Sequence, residues 1–219
     1  VRGADEGTTG VRLWPAEGAE RPGEPPRAVR FASGGSSGTL LHRVQELTGG
    51  RARLIRDVTI GMPGDTDIEL VAEHGDFWFH TDAAFLPVPP RWMAIAVLEA
   101  DGGGGLDLLP VEHIDPEPLA ARASYLTVEG VQVAPILEQL PDGQGPLLRY
   151  RRDRMIAVDD SAAVEAAHRA VEAAADQVVT VGELAPGEVL LVDNWTMLHR
   201  RRPFNGRRVI RRLWFDAMA

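Results

Sequence analysis

From residue 76 onward, the apolar positions fall into many short strand-length runs. "DFWFHTD", "WMAIAVLEA", "LDLLPV", "SYLTVEGVQVAPIL", "PLLRYRRDRMIAV", "QVVTV", "GEVLLVDN" and "RRVIRRLWFDA" are β-branched, aliphatic or aromatic, and Gly, Pro or Asp turn signals separate them. Period two is the strand signature, and many short strands between turns predict a sandwich or barrel. One segment breaks the pattern. "SAAVEAAHRAVEAAADQ" (161–177) is alanine-rich and reads as a helix with Ser161 as its N-cap. Upstream, "GTLLHRVQELTGG" (38–50) carries Leu40, Leu41, Val44 and Leu47 at helical spacing and stops at Gly-Gly. "ARLIRDVTI" alternates as a strand and "GMPGDTD" is a turn or loop. Residues 1–37, rich in Gly, Pro, Ser and charge, read as a loop-rich or partly ordered entry with one short strand near Val11–Trp14. No repeat or linker divides the chain, so the expectation is one domain over 1–219 with a barrel core at 76–219.

Composition narrows the classes. With 219 residues and 44% hydrophobic residues, one substantial core is within reach. The absence of cysteine excludes disulfides, zinc–thiolate sites and thiol catalysis. No apolar run approaches the roughly 20 residues of a membrane span, and no secretory core is visible, so the expectation is a cytoplasmic protein with no membrane partner. The chain starts at Val1 rather than Met, which reads as processing or truncation. A net charge of −9 argues against nucleic acid as a partner. The charge is uneven, however. Residues 200–212, "RRRPFNGRRVIRR", hold seven arginines and no acid, leaving 16 basic against 32 acidic residues elsewhere. Lysine is absent throughout, so arginine abundance also reflects coding bias.

The candidate chemistry begins at "FWFHTDAAF" (77–85). In a strand, residues i and i+2 share a face about 6.7 Å apart, so His80 and Asp82 would reach one ion. Imidazole and carboxylate suit Fe(II), Mn(II) or Zn(II). Alone, this spacing is more often a strand-end histidine beside a turn aspartate. His42, His74, His113 and His168 read as ordinary helix or turn residues. His199 differs, because it follows the buried-looking "GEVLLVDNWTML" and its exit and opens the arginine segment. Two histidines and one carboxylate form a facial set that leaves coordination positions open. In "RRVIRRLWF", alternation puts Arg208, Ile210, Arg212 and Trp214 on one face and Arg207, Val209, Arg211 and Leu213 on the other. Arginines on an apolar face need anionic partners, and a bidentate carboxylate would supply one. A solvated basic edge and a nucleic-acid patch are the alternatives.

The ordered set "FHTDAAF", "GEVLLVDNWTMLHRRRPF" and "GRRVIRRLWF" resembles the TauD/TfdA-like branch of Fe(II)/2-oxoglutarate-dependent oxygenases, near clavaminate synthase and the asparagine and arginine hydroxylases, over residues 76–219. The resemblance implies a mainly β (α+β) fold, a double-stranded β-helix (jelly-roll) barrel with flanking helices. It implies His80, Asp82 and His199 as iron ligands and Arg212 as the clamp for the far carboxylate of 2-oxoglutarate. Arg208 would be a second arginine near cosubstrate or substrate, Asp193 and Asn194 structural, and Arg201 an orienting residue. Fe(II), 2-oxoglutarate and O2 are the implied cofactors, with succinate and CO2 released. Asp82 favours hydroxylation, desaturation or cyclisation over halogenation. The implied partner is a small-molecule substrate, an amino acid or carrier-bound amino acid, met by the Phe77–Phe85 and 149–154 segments with Arg149 and Phe85 as contacts. The pattern departs at "GGGGLDLL", where Asp107 stands in place of a cosubstrate-binding threonine. The chain is also short for the family. Asp107 favours one competing reading, a metal-binding module without oxygenase activity. A protein or tRNA hydroxylase would instead dock through an exposed arginine segment. A serine hydrolase is disfavoured, since no Gly-x-Ser-x-Gly elbow occurs.

Overall fold

The computed structural model describes residues 11–14, 25–33, 36–61, 75–127, 130–141, 144–158 and 161–218. Residues 62–67 of the expected "GMPGDTD" loop, and His74, lie outside them. Two antiparallel sheets stack face to face. The larger is ordered β1 (Val11–Trp14), β2 (Ala28–Ala32), β13 (Glu188–Asp193), β5 (Trp92–Ala100), β15 (Arg208–Ala217) and β3 (Ala52–Ile60). The smaller is ordered β12 (Val179–Gly182), β6 (Leu106–Pro110), β14 (Met197–Arg201) and β4 (Phe77–His80). This curled, mostly β arrangement is jelly-roll-like.

Period-two alternation builds three layers of core. On β5, Met93, Ile95 and Val97 face inward and meet Leu106, Leu108 and Met197 of the opposing sheet. Trp92, Ala94 and Ala96 face outward and pack with Leu40 and Val44 of α1 (Ser37–Leu47). The far face of the smaller sheet, through Phe79, Leu109 and Leu198, is covered by α3 (Ser161–Ala173) and by β7 (Arg122–Thr127), β8 (Gly130–Pro135) and β11 (Met155–Ala157). Each fully buried Leu, Ile or Phe contributes about 1.5–3 kcal/mol, so these interleaved faces specify which side of every strand looks where. A short hairpin of β9 (Leu137–Gln139) and β10 (Pro146–Leu148), a one-turn helix α2 (Pro116–Leu119) and a 3-10 turn at Val111–His113 complete the described elements.

Three expectations change. The entry segment contains a fully paired strand, β2, between β1 and β13. Its Val29 and Phe31 join the α1 layer, a signal masked by the Gly/Pro-rich sequence around it. "MLHRR" is itself a strand, β14, between β6 and β4, rather than the exit of β13. Ser161 is the first residue of α3 rather than its cap, and the residues before it are outside the described set. For α1 the cap is Ser36, whose Oγ accepts from the Thr39 N–H at 3.1 Å, an interaction worth about 1 kcal/mol.

Candidate metal centre

His80 ends β4 and His199 lies mid-way along β14, and the two are direct cross-strand partners. Their rings sit 4.2 Å apart, centroid to centroid. Such opposed positions put both side chains on one face of the sheet. Asp82 arrives differently from the expected i, i+2 strand placement. Strand β4 stops at His80, and Asp82 occupies the turn that follows. Ala83 next to it takes a left-handed φ of 53°. That conformation costs a β-carbon residue about 1–2 kcal/mol. The turn is fixed by Asn194, whose Oδ1 accepts from the Asp82 N–H at 2.7 Å and whose Nδ2 donates to the Asp82 carbonyl at 3.0 Å. Nδ2 also donates to Pro90 O at 2.9 Å. Thr81, between His80 and Asp82, donates its N–H to Tyr150 O at 2.8 Å. Asp193 accepts from the Trp195 N–H at 3.1 Å, shaping the crossing from β13 to β14.

These supports converge three donor atoms. Nε2 of His80 and Nε2 of His199 each lie 3.6 Å from Oδ1 of Asp82. All three residues are buried, and their ligand atoms lie within 4.8 Å of one another. Ligation requires deprotonated donors. Burial, and next the neighbouring His199, push the His80 pKa down to about 3, leaving a neutral ring. Its Nδ1 lies 3.0 Å from Trp78 O, which favours the tautomer with the proton on Nδ1 and a lone pair on Nε2. Burial works to raise the Asp82 pKa, but the Arg212 guanidinium and the two imidazoles hold it well below the usual carboxylate range. The donor set therefore fits a divalent Fe, Mn or Zn ion with open positions.

Beside these donors lies a small cavity lined by Ile95, Leu106, Ile210 and Phe77, with Arg201, Arg208 and Arg212, and no acid among its described lining residues. Arg208 is largely buried and makes no ion pair among the described residues. Burial and the nearby charges of Arg201 and Arg212 lower its pKa to about 10. Phe204 lies under both Arg201 and Arg208, at 4.6 and 5.9 Å from ring centroid to guanidinium carbon. Gly104 makes room for Arg208: at its φ of 71°, a β-carbon would stand 3.0 Å from Arg208 Nε.

Arg212 does not point only at the cavity, because its Nη1 lies 3.2 Å from Oδ1 of Asp82. Asp107 turns away from the cavity. It is buried against Arg202 and Arg200, at 2.7 and 2.9 Å, while Leu106 takes the cavity-facing position. Arg149 is committed to Glu138 at 2.7 Å and Pro87 O at 2.8 Å, outside the cavity. Phe85 is half-buried in the turn after Asp82 and packs between two core layers. The arginine segment is mostly spent on internal pairs: Arg207 with Glu99 at 3.0 Å, and Arg211 with Asp57 at 2.8 Å, besides the Asp107 cluster. Trp214 was the residue sequence reasoning passed over. Its Nε1 donates to Oδ2 of Asp82 at 2.7 Å. Its place on the Arg208–Arg212 face of β15 was the available signal.

The model of the taurine catabolism dioxygenase TauD, TfdA family matches residues 121–214, a span holding His199, Arg208 and Arg212. That stretch of the chain resembles the family. Among solved structures, this chain is similar to asparagine oxygenase in complex with Fe(II), 2S,3S-3-hydroxyasparagine and succinate, at 26% identity and a TM-score of 0.58 over 72% of this chain and 55% of that one. It is also similar to the non-haem iron oxygenase OrfP with Fe and α-ketoglutaric acid, at 18% identity and a TM-score of 0.58, covering 82% of this chain and 64% of that one. OrfP with Fe, succinate and (3S)-hydroxy-L-Arg aligns at 15% identity and a TM-score of 0.60, over 83% of this chain and 67% of that one. The OrfP likenesses speak for the fold. The chain thus spans about half the length of that asparagine oxygenase chain. No curated protein sequence matches it. No helix among the described residues is long and apolar enough to cross a membrane.

Proposed function

We propose that this protein is a non-haem Fe(II)/2-oxoglutarate-dependent oxygenase that hydroxylates a small amino-acid-like substrate. The observation that carries the reading is one buried constellation. Two imidazole nitrogens stand 3.6 Å from one carboxylate oxygen, beside a cavity lined by Arg201, Arg208 and Arg212. The resemblance to an asparagine oxygenase holding succinate and a hydroxylated amino acid supports it.

Bound iron with 2-oxoglutarate and O2 supplies oxidative decarboxylation coupled to C–H oxidation, with succinate and CO2 as by-products. The chain does the rest. His80, Asp82 and His199 hold the metal on one face and leave the other positions open. We assign the far carboxylate of 2-oxoglutarate to Arg208 rather than to Arg212. Arg208 is a largely buried cation with no ion pair among the described residues, and a guanidinium there would bind a carboxylate through two charge-assisted hydrogen bonds. Arg212 instead stands between Asp82 and the cavity, neutralising the ligand carboxylate. Ile95, Leu106 and Ile210 keep the pocket dry, which strengthens each of these charge contacts.

Asp107, which favoured a module without oxygenase activity, faces its two arginines and leaves the cavity free of anionic charge. The arginine segment that a macromolecular substrate would dock on is largely occupied by Asp57, Glu99 and Asp107. Both facts favour the small-molecule reading, with a free or carrier-bound amino acid as substrate. Incubation of the iron-loaded protein with 2-oxoglutarate, O2 and a panel of amino acids tests it. Succinate release that rises several-fold with one amino acid, with a matching mass gain of one oxygen atom, is expected. Release insensitive to every amino acid would remove the substrate assignment.

A further inference from the structure

Asp82 offers two oxygens, and their surroundings differ. Oδ1 is the atom equidistant from both histidine nitrogens, at 3.6 Å each. It also has the Arg212 Nη1 at 3.2 Å. Oδ2 accepts the indole N–H of Trp214 at 2.7 Å. Trp214 is itself held firmly. It is buried, and it pairs with Met93 of β5 on one side and Arg56 of β3 on the other. The Arg56 guanidinium covers its ring at 4.7 Å. On the β3 side the register slips immediately after Trp214.

We infer that Trp214 is a positioning residue that restricts Asp82 to one-oxygen ligation. A free carboxylate beside a divalent ion can close on it with both oxygens, which would consume a position needed by 2-oxoglutarate or O2. A short hydrogen bond from a rigid indole occupies Oδ2 and opposes that closure. The donor is neutral, so it orients the carboxylate without cancelling the negative charge that binds the ion. A guanidinium in its place would compete with the metal for that charge. The division of labour is then clear: Asn194 fixes the Asp82 backbone, Trp214 fixes its rotation, and Arg212 balances its charge when no ion is present. Partners of this kind, behind the ligands, commonly set metal affinity by one to two orders of magnitude.

The inference rests on His80, Asp82 and His199 being the metal ligands, and the test separates the two. Zn(II) is titrated into wild type, Trp214→Phe and His199→Ala, following affinity by calorimetry and carboxylate stretches by difference infrared spectroscopy. In wild type, the bound carboxylate should show the widely split stretches of one-oxygen ligation. Trp214→Phe, which keeps ring packing but removes the donor, should narrow that splitting toward a two-oxygen chelate and change the Zn(II) affinity about 10- to 100-fold. Unchanged affinity and splitting in Trp214→Phe, with binding lost in His199→Ala, overturns the role of Trp214. Equal Zn(II) binding by wild type and His199→Ala overturns the ligand assignment itself. Should Trp214→Phe fail to fold, the wild-type indole resonances decide. The Trp214 Nε1 proton should shift on Zn(II) addition and stay protected from exchange, and a freely exchanging proton that does not move overturns the inference.

Discussion

Asn194 grips Asp82 by both of its backbone polar groups, accepting from the N–H at 2.7 Å and donating to the carbonyl at 3.0 Å. These two residues are 112 positions apart in the chain. The bond pair joins the turn after β4 to the crossing between β13 and β14, and so joins the two strands that carry the histidines. Asn194→Ala leaves three buried groups without partners, the third being Pro90 O. At about 1–3 kcal/mol for each unsatisfied group, and allowing for relaxation, a loss of about 3 kcal/mol is expected in urea unfolding. Metal affinity should fall at least tenfold with it. Wild-type stability in Asn194→Ala would show that this clamp does not hold the turn.

Arg208 and Arg212 make separable contributions. If Arg208 binds the far carboxylate of 2-oxoglutarate, Arg208→Met removes two charge-assisted hydrogen bonds and weakens the cosubstrate by about 100-fold, or about 3 kcal/mol. Its affinity for metal alone should change little. Arg212→Met should act chiefly on the metal, since its guanidinium meets Asp82. Titration of 2-oxoglutarate into each metal-loaded variant distinguishes them. A cosubstrate defect confined to Arg212→Met would return the clamp to Arg212.

Gly104 should be a hidden part of the same pocket. A β-carbon there meets Arg208 Nε at 3.0 Å and Phe204 Cβ at 3.3 Å, at a φ of 71°. Gly104→Ala should cost about 1–2 kcal/mol in stability from the backbone alone and raise the 2-oxoglutarate requirement by displacing Arg208. Normal cosubstrate affinity in this variant would mean that Arg208 moves aside without consequence.

Asp107 offers a pH signature independent of the metal. Burial acts to raise its pKa, but the hydrogen bonds from Arg202 and Arg200 hold it below the ordinary value of 3.8. A carboxylate with a folded pKa below its unfolded one adds stability that is fully present above the unfolded value. That stability is lost as pH falls through the folded value. Asp107→Asn should therefore be less stable at neutral pH and should lack this component of the acid-induced loss. Cosubstrate affinity should not change, because Asp107 faces away from the cavity. A weakened 2-oxoglutarate site in Asp107→Asn would show that the residue acts inside the pocket after all.

Much of the fold was legible because strand alternation is a local signal. The runs that became β3 and β15 carry it, β5, β6 and β13 read as short apolar runs between turn residues, and α1 shows helical spacing with a Gly-Gly stop. β2 was not legible, since five residues within a Pro- and Gly-rich segment gain their strand character from pairing with β1 and β13. The grouping of His80, Asp82 and His199, which the structure brings together, was suggested by residue type and order. Their geometry was not, because Asp82 reaches the histidines through a turn set by Asn194, far away in sequence. Asp107 shows the same limit. Its side of β6 depends on register with β14, which places Arg200 opposite it. The contrast between Arg208 and Arg212 is likewise tertiary, decided by where the Asp82 carboxylate comes to rest.

If His80, Asp82 and His199 hold iron for 2-oxoglutarate to bind beside Arg208, anaerobic addition of Fe(II) and 2-oxoglutarate together should give a visible charge-transfer band that neither component gives alone. The band should be absent in His199→Ala and shifted to higher 2-oxoglutarate concentration in Arg208→Met. No band from protein with iron bound, or an undiminished band in His199→Ala, would contradict that assignment.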